Sequence, residues 1–195
     1  MSAESVGAGS RRAPDFDRLY RLDPDPFGVA RTWYERRKQA TALALLPRER
    51  YRFAWDAAAG TGALAVALEQ RCDRVLASDA APIAVDRLRG RGLDAMLNRL
   101  PDVPSAANGA DLVVLSEVLY YLDPSAARQA IDAIIRSAAP GTDLLSVHWL
   151  GTGPDLAVPG ADATEALDAA VLDAGWRRLV HLDDEGFALR CWRNR

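Results

Sequence analysis

The sequence predicts an α/β fold with a mostly parallel sheet, helices on both of its faces and an antiparallel hairpin near its C-terminal end. From residue 52 onward, strand and helix signals alternate five times, which is typical of βαβ units. The run 111–115, DLVVL, is apolar after its first residue, as in a strand that is covered on both faces. Two further strand-like runs, 177–182 and 187–193, flank a turn that contains glycine, and this pattern indicates the hairpin.

The composition excludes several classes of protein. The chain has 195 residues, of which 49% are apolar and 26% charged, as in an ordinary globular domain and unlike a disordered chain. Its net charge of −3 argues against a protein that binds nucleic-acid backbones, because such proteins carry a basic excess. No apolar run approaches the roughly 20 residues that span a bilayer, and the first residues lack the pattern of a secretory signal. We therefore expect a cytoplasmic protein with no nucleic-acid partner and no membrane contact.

The cysteines and histidines give no sign of a metal site. Cys72 and Cys191 are too few for a disulfide framework and lack the spacing of metal ligands. Two histidines cannot form a histidine-rich site. We expect no bound metal, and the sequence does not indicate an oligomeric state.

The region before the first strand divides into a tail and a cap. Residues 1–15 are mostly small and polar without apolar periodicity, which predicts a flexible tail. Residues 16–50 form the predicted N-terminal cap. Within it, 31–46 is rich in strong helix formers and is ended by Pro47.

Residues 51–195 form the predicted α/β domain, in which strands and helices follow one another in order. The predicted strands before the hairpin cover 53–55, 75–78, 95–97, 111–115 and 144–147, and the predicted helices cover 63–70, 83–89, 124–138 and 162–174. Asp123 as N-cap and Pro124 at the first helical position begin the third of these helices. The segment DATE at 162–165 is a capping-box variant that predicts the start of the last one.

The loop after the first strand, DAAAGTG at 56–62, indicates a nucleoside-cofactor site. Its glycines let the backbone approach a ligand closely, and the helix that follows offers its N-terminal N–H groups. Asp79 ends the second strand, where a carboxylate can accept both hydroxyls of a ribose. Two cofactor classes fit these residues. One is the dinucleotide pattern G-x-G-x-x-A, and the other is a longer D-x-G-x-G-x-G pattern in which Ala58 replaces the first glycine.

The longer pattern resembles the S-adenosylmethionine loop of class I methyltransferases. DLVVLSEVLYYL at 111–122 resembles the fourth-strand motif of methyltransferases close to the nodulation protein S family. WYERRKQATALALLP resembles that family's N-terminal cap, and GFALRCWRN resembles its last strand. The resemblance covers about residues 23–194. It implies a Rossmann-like, seven-stranded sheet with the last strand antiparallel, a methyltransferase domain over 51–195, and S-adenosylmethionine as the cofactor that becomes S-adenosylhomocysteine.

The resemblance also implies a set of cofactor-binding residues. Lys38 on the cap helix would meet the methionine carboxylate and Tyr34 would cover it, with Arg37 as a rival for that charge. The acidic residue that often lies beside the adenine is not evident at 98–101, so we expect the backbone and apolar side chain of Leu100 to hold the adenine. The full predicted set is Tyr34, Lys38, Asp56, Ala58, Gly60, Gly62, Asp79, Ala80, Leu100 and Ser116.

Three residues after strands four and five are the predicted catalytic residues. His148 follows strand five and titrates in the useful range for a general base, although a structural histidine beside Trp149 fits equally well. Glu117 is expected to orient an amine or to meet the cofactor. Tyr120 is expected to stack on a sugar or an aromatic group, or to pack against a helix.

The predicted function is transfer of a methyl group from S-adenosylmethionine to a small molecule. The family points to an amine acceptor, with amino sugars among the candidates. Three alternatives stay open: an O-methyltransferase, an NAD-dependent oxidoreductase, and a protein that binds the cofactor without turnover. The oxidoreductase is disfavoured because no second substrate domain and no Tyr-x-x-x-Lys pair after a strand are present.

Overall fold

The computed structural model describes residues 14–195, which form one seven-stranded sheet. The strands are β1 (Tyr51–Asp56), β2 (Cys72–Asp79), β3 (Asp94–Leu97), β4 (Leu112–Ser116), β5 (Asp143–Trp149), β6 (Arg177–Asp183) and β7 (Phe187–Arg193). Their order across the sheet is β3-β2-β1-β4-β5-β7-β6. The first five strands pair in parallel, whereas β7 is antiparallel to both β5 and β6. The predicted fold class, with its antiparallel hairpin, is confirmed.

Helices cover both faces of the sheet. They are α1 (Phe16–Leu22), α2 (Trp33–Ala44), α3 (Ala63–Leu68), α4 (Pro82–Gly90), α5 (Pro124–Ser137) and α6 (Gly160–Asp173), with short 3-10 turns at Ser105–Ala107 and Leu119–Tyr121. On one face, α5 and α6 bury residues such as Ile131 and Leu167 against Trp55 and Trp192. On the other, α2, α3 and α4 pack against residues of β1, β2, β4 and β5. The two cores leave the ends of the parallel strands free for a site.

Local capping agrees with the sequence at α5 and differs at α6. Asp123 caps α5 by accepting the N–H of Ser125, and Pro124 occupies the first turn, as predicted. The predicted capping box at 162–165 is wrong, because α6 begins at Gly160 with Pro159 as its N-cap. A Cβ at position 160 would lie 1.7 Å from the carbonyl oxygen of Trp149, so the helix begins where only glycine fits against β5.

The predicted tail, 1–15, lies outside the described residues apart from its last two. Among residues 14–195, no helix has the length and apolar character needed to cross a membrane. No group of three or more His, Cys, Asp or Glu side chains in that part of the chain is arranged to hold a metal ion. Cys72 and Cys191 are both buried as free thiols.

Candidate functional site

A cavity of about 1180 Å³ lies at the carboxyl ends of the parallel strands, beneath α1 and α2. It contains most of the residues that the sequence singles out. The predicted cofactor-binding residues that line it are Tyr34, Lys38, Asp56, Ala58, Gly60, Asp79, Ala80, Leu100 and Ser116, and the predicted catalytic residues that line it are Glu117 and Tyr120. Gly62 and His148 are absent from its wall.

The cavity has two sides. The glycine-loop side consists of the loop 56–62 together with Asp79 and Leu100. The α2 side consists of Tyr34, Glu35, Lys38, Glu117, Tyr120 and Trp149. All of these residues except Gly62 line the same cavity. A ligand that spans the cavity therefore touches both sides.

On the glycine-loop side, both glycines adopt left-handed backbone conformations. Gly60 has φ of +53°, and a Cβ there would lie 2.8 Å from the hydroxyl of Tyr20. Gly62 has φ of +79° and faces the core instead, because its added Cβ would lie 2.4 Å from Leu88. Ala58 is not among the residues with positive φ, so alanine is compatible with the loop at that position.

Two buried carboxylates lie beneath this loop. Asp79 accepts the N–H groups of Gly60 and Ala81, each at 2.9 Å. Asp56 is 1% exposed, and its Oδ1 has no hydrogen-bond partner within residues 14–195. Burial, with the nearby charge of Asp79, raises the pKa of Asp56 to about 7. A buried acceptor without a partner beside a second carboxylate suits a ligand that brings N–H or O–H donors and positive charge.

Helix α1 covers the glycine-loop side and is fixed to α4. The carboxylate of Asp17 accepts the N–H of Ile83 at 3.0 Å in the first turn of α4. Arg87 donates to the carbonyl oxygen of Tyr20 at 2.6 Å. Across the cavity, the ring of Phe16 meets the ring of Tyr121 edge to face, with centroids 5.0 Å apart. Side chains of α1, which precedes the sheet in sequence, therefore form part of the cavity wall.

On the α2 side, Lys38 is buried between two carboxylates. It is 3% exposed, and its Nζ lies 2.7 Å from Glu35 Oε1 and 2.6 Å from Glu117 Oε1. Its charge is already balanced by these acids, so the arrangement does not support the expectation that Lys38 meets a ligand carboxylate. The rival Arg37 does not line the cavity and pairs with Asp184 of the β6–β7 turn at 2.5 Å.

Glu117 is held in an unusual backbone conformation. Its φ is +54°, the only positive value of a non-glycine residue within 14–195, and such a conformation costs roughly 1–3 kcal/mol. Its Oε2 accepts the N–H of Trp149 at 3.0 Å and the hydroxyl of Tyr120, while Oε1 accepts from Lys38. Strain that is retained at the end of a strand, beside a cavity, is typical of a functional position.

His148 does not reach the cavity, which corrects its prediction as the base that contacts the ligand. Its side chain is fully buried, and Nδ1 lies 3.1 Å from Ser146 Oγ and 3.2 Å from Thr164 Oγ1. Burial lowers its pKa to about 4, so the ring is neutral near pH 7. Its ring packs edge to face against Tyr120, with centroids 5.7 Å apart. This geometry favours the structural alternative.

Tyr120 has a packing contact and a polar one. Its ring is 3% exposed and lies against Tyr121 and His148, which leaves little of its face for stacking on a ligand. Its hydroxyl holds Glu117. No motif of the sequence indicates Glu35, whose one local signal is its i,i+3 spacing to Lys38 on the same helix.

The fold and the site define a known class. Residues 54–141 match the methyltransferase domain family. The chain is 33% identical to a protein of known structure from Pseudomonas syringae that is described as a "putative Methyltransferase", with a TM-score of 0.70, over 84% of this chain and 100% of that one. The chain belongs to the class I methyltransferases, which use S-adenosylmethionine.

Within that class, the chain is similar to nodulation protein S. It is 33% identical to nodulation protein S of Rhizobium tropici over 140 residues, which is 66% of this chain and 54% of that protein. The chain thus spans about half the length of this curated relative. The structure of the N-methyltransferase NodS from Bradyrhizobium japonicum WM9, in complex with S-adenosyl-L-homocysteine, superposes with a TM-score of 0.75 at 22% identity, over 92% of this chain and 97% of that one.

Proposed function

We propose that this protein transfers the methyl group of S-adenosylmethionine to the nitrogen of a small-molecule amine, with amino sugars as the leading acceptors. The acidic and aromatic character of the α2 side carries this proposal. Glu35 and Glu117 outnumber Lys38 there, and Tyr34 and Trp149 supply ring surface. A cationic amine suits such a wall, whereas an anionic acceptor does not.

The glycine-loop side fits the cofactor. We assign Asp79 to the ribose hydroxyls, Gly60 to the close backbone approach, and the backbone and apolar side chain of Leu100 to the adenine. Asp56, with its unpartnered buried oxygen, is assigned to the ammonium of the methionine end. A site whose buried carboxylates face the ligand favours the positively charged donor over a neutral product.

The volume supports two ligands at once. A cavity of about 1180 Å³ exceeds the roughly 300–1,000 Å³ that is usual for a single small ligand. The cofactor supplies an electrophilic methyl group that the acceptor attacks directly, so no nucleophile of the protein is required. The residues of the chain hold both molecules in line and exclude water, which accounts for roughly 7–11 kcal/mol of the barrier in well-oriented reactions.

An amine acceptor imposes a proton requirement, because an ammonium has no lone pair. A carboxylate at the α2 side orients the N–H groups and makes a neutral amine accessible. Glu117, anchored by Lys38, Tyr120 and Trp149, is placed to orient the acceptor. The name N-methyltransferase, given to the NodS structure, supports nitrogen as the accepting atom.

The test is turnover of matched acceptors by the full chain. Glucosamine and glucose differ only in an amino against a hydroxyl group, and they are incubated with S-adenosylmethionine before products are analysed by mass spectrometry. We expect methylation of glucosamine on nitrogen and none of glucose. If glucosamine fails, a panel of small alkylamines and their alcohols follows. Methylation of alcohols but of no amine contradicts the proposal.

Two controls separate the cofactor from the acceptor. Calorimetry should show binding of S-adenosylhomocysteine and none of NAD. Glu117→Gln should retain that binding and lose most methyl transfer, while Glu165→Gln, at an exposed position of α6, should retain both.

A further inference from the structure

We propose that Glu35 is the catalytic base that removes the proton from the acceptor ammonium, and that Lys38 is a positioning residue for both Glu35 and Glu117. This inference rests on the proposed function. It assigns separate roles to the two carboxylates of the α2 side: Glu35 takes a proton from the acceptor, and Glu117 orients the acceptor.

The hydrogen bonds of the two carboxylates differ. Both oxygens of Glu117 are occupied by donors from Lys38, Tyr120 and Trp149. Glu35 accepts one hydrogen bond, from Lys38 to Oε1 at 2.7 Å. Its Oε2 makes no hydrogen bond within residues 14–195 and is not among the buried atoms that lack a partner, and Glu35 lines the cavity. One oxygen of Glu35 is therefore available to a ligand.

The backbone holds Glu35 firmly in this position. Its N–H donates to the hydroxyl of Thr32, the N-cap of α2, at 3.2 Å. Tyr34, the preceding residue, donates its hydroxyl to the carbonyl oxygen of Gly186 at 2.9 Å. The first turn of α2 is thereby tied to the β6–β7 turn. A base in a catalytic site needs a fixed direction of this kind.

The cluster formed by Glu35, Glu117 and Lys38 has one more negative charge than positive charge. Two carboxylates share the single ammonium of Lys38, so an acceptor ammonium would neutralise the group. The titratable groups that face Glu35 are Tyr34 and Lys38 on α2, Asp25 in the loop before it, and Glu117 and Tyr120 after β4. Burial raises the pKa of Glu35, which makes it a stronger base than an exposed carboxylate.

The reaction has two steps, deprotonation of the acceptor and transfer of the methyl group. First, an N–H bond of the acceptor ammonium breaks, its proton goes to Glu35 Oε2, and the electron pair stays on nitrogen. Then this pair forms the N–C bond to the methyl group as the C–S bond breaks, and sulfur keeps the bonding pair. The product leaves as a methylated ammonium, and Glu35 returns its proton to solvent.

Paired acceptors that differ in protonation test the assignment. Each pair shares one skeleton and carries an amino group, protonated near pH 7, or an aminooxy group, neutral near pH 7. We expect Glu35→Gln to lower kcat for the amine by about 10²–10⁴-fold. For the aminooxy compound, which needs no base before attack, kcat should change only severalfold. Glu35→Asp should keep the pH dependence of the wild type, since it keeps a carboxylate, and Glu165→Gln is the matched control.

Binding gives a readout that does not depend on turnover. With S-adenosylhomocysteine bound, calorimetry should show that Glu35→Gln weakens binding of the amine and leaves binding of the corresponding alcohol unchanged. Equal losses of kcat for both acceptors would overturn the inference and assign Glu35 a structural role. Unchanged kcat for the amine would overturn it as well. If the wild type methylates alcohols and no amine, the proposed function fails, which is a distinct result.

Discussion

The two sides of the cavity are constructed from different parts of the chain. The glycine-loop side is mostly backbone and comes from segments that follow the neighbouring strands β1, β2 and β3, and Asp79 at the end of β2 accepts N–H groups of Gly60 and Ala81. The α2 side is mostly side chain and joins residues far apart in sequence, such as Lys38 and Glu117, which are 79 positions apart. A site made of backbone groups keeps the same shape when side chains are substituted, whereas the ligand contacts of a site made of side chains change with each substitution. We therefore expect variants of the two sides to affect different ligands.

On the scale of cofactor affinity, the largest expected effect is that of Gly60→Val. Valine resists the φ of +53° at this position, and its Cβ would lie 2.8 Å from the hydroxyl of Tyr20. We expect binding of S-adenosylhomocysteine to fall by at least about 100-fold, a loss of ~3 kcal/mol, when measured by calorimetry. Gly90→Ala is the control, because its φ is not positive and its Cβ would meet nothing within 4 Å. Retained affinity in a folded Gly60→Val variant would place the cofactor elsewhere.

Asp79→Asn should have the next largest effect on cofactor affinity. Hydrogen bonds to a charged acceptor contribute about 1.5–3 kcal/mol, so we expect a loss of one to two decades in Kd. Asp73→Asn, on the same strand but exposed and paired with Arg50, should leave Kd unchanged. Calorimetry of both variants, with thermal melts to establish folding, decides the assignment. An unchanged Kd for Asp79→Asn contradicts it.

Lys38→Met distinguishes the two sides directly. If Lys38 met the cofactor carboxylate, Kd for S-adenosylhomocysteine would rise by a decade or more. We expect instead a change within about threefold. The stability of the protein should fall by roughly 1–3 kcal/mol in denaturant melts, because buried Glu35 and partly exposed Glu117 lose the counter-charge that they share. Arg36→Met, on the exposed face of α2, is the control for both measurements.

His148→Gln should have no effect on cofactor affinity and a pH-dependent effect on stability. The folded-state pKa of about 4 lies below the usual 6.5, so the unfolded chain binds more protons at this position between those two values. The contribution of His148 to the free energy of unfolding therefore falls by on the order of 2 kcal/mol from pH 7 to pH 5. Denaturant melts at both pH values should show a larger loss for the wild type than for the variant. Equal losses would mean that His148 is not buried in its neutral form.

The local pattern of the sequence was sufficient for the fold and for the glycine-loop side. Asp56, Gly60 and Gly62 fall within one short loop, and Asp79 ends the next strand, so adjacency in sequence implies adjacency in space. Strand and helix positions likewise follow from local periodicity. The start of α6 was mispredicted because it depends on the approach of Gly160 to Trp149, a contact between separate segments.

The α2 side did not follow from local pattern, for two physical reasons. The contact of Lys38 with Glu117 depends on how α2 packs over the sheet, which no local spacing specifies. At the end of β5, successive side chains point to opposite faces, so Trp149 lines the cavity while His148 faces Thr164 of α6. The sequence placed His148 near the site, but it did not indicate which face of the sheet the ring occupies.

The position of β7 has a consequence for how the molecule folds. Because β7 lies between β5 and β6, β6 has no neighbour in the sheet until β7 is present. Strands β6 and β7 are close in sequence and form an antiparallel hairpin, which is a fast step in folding. The pairing of β7 with β5 joins segments that are farther apart in sequence and is slower. We expect the hairpin to form first and to dock on β5 as a unit. Until then, β5 is an open edge strand of largely apolar residues, the state in which this chain is most exposed to aggregation during synthesis.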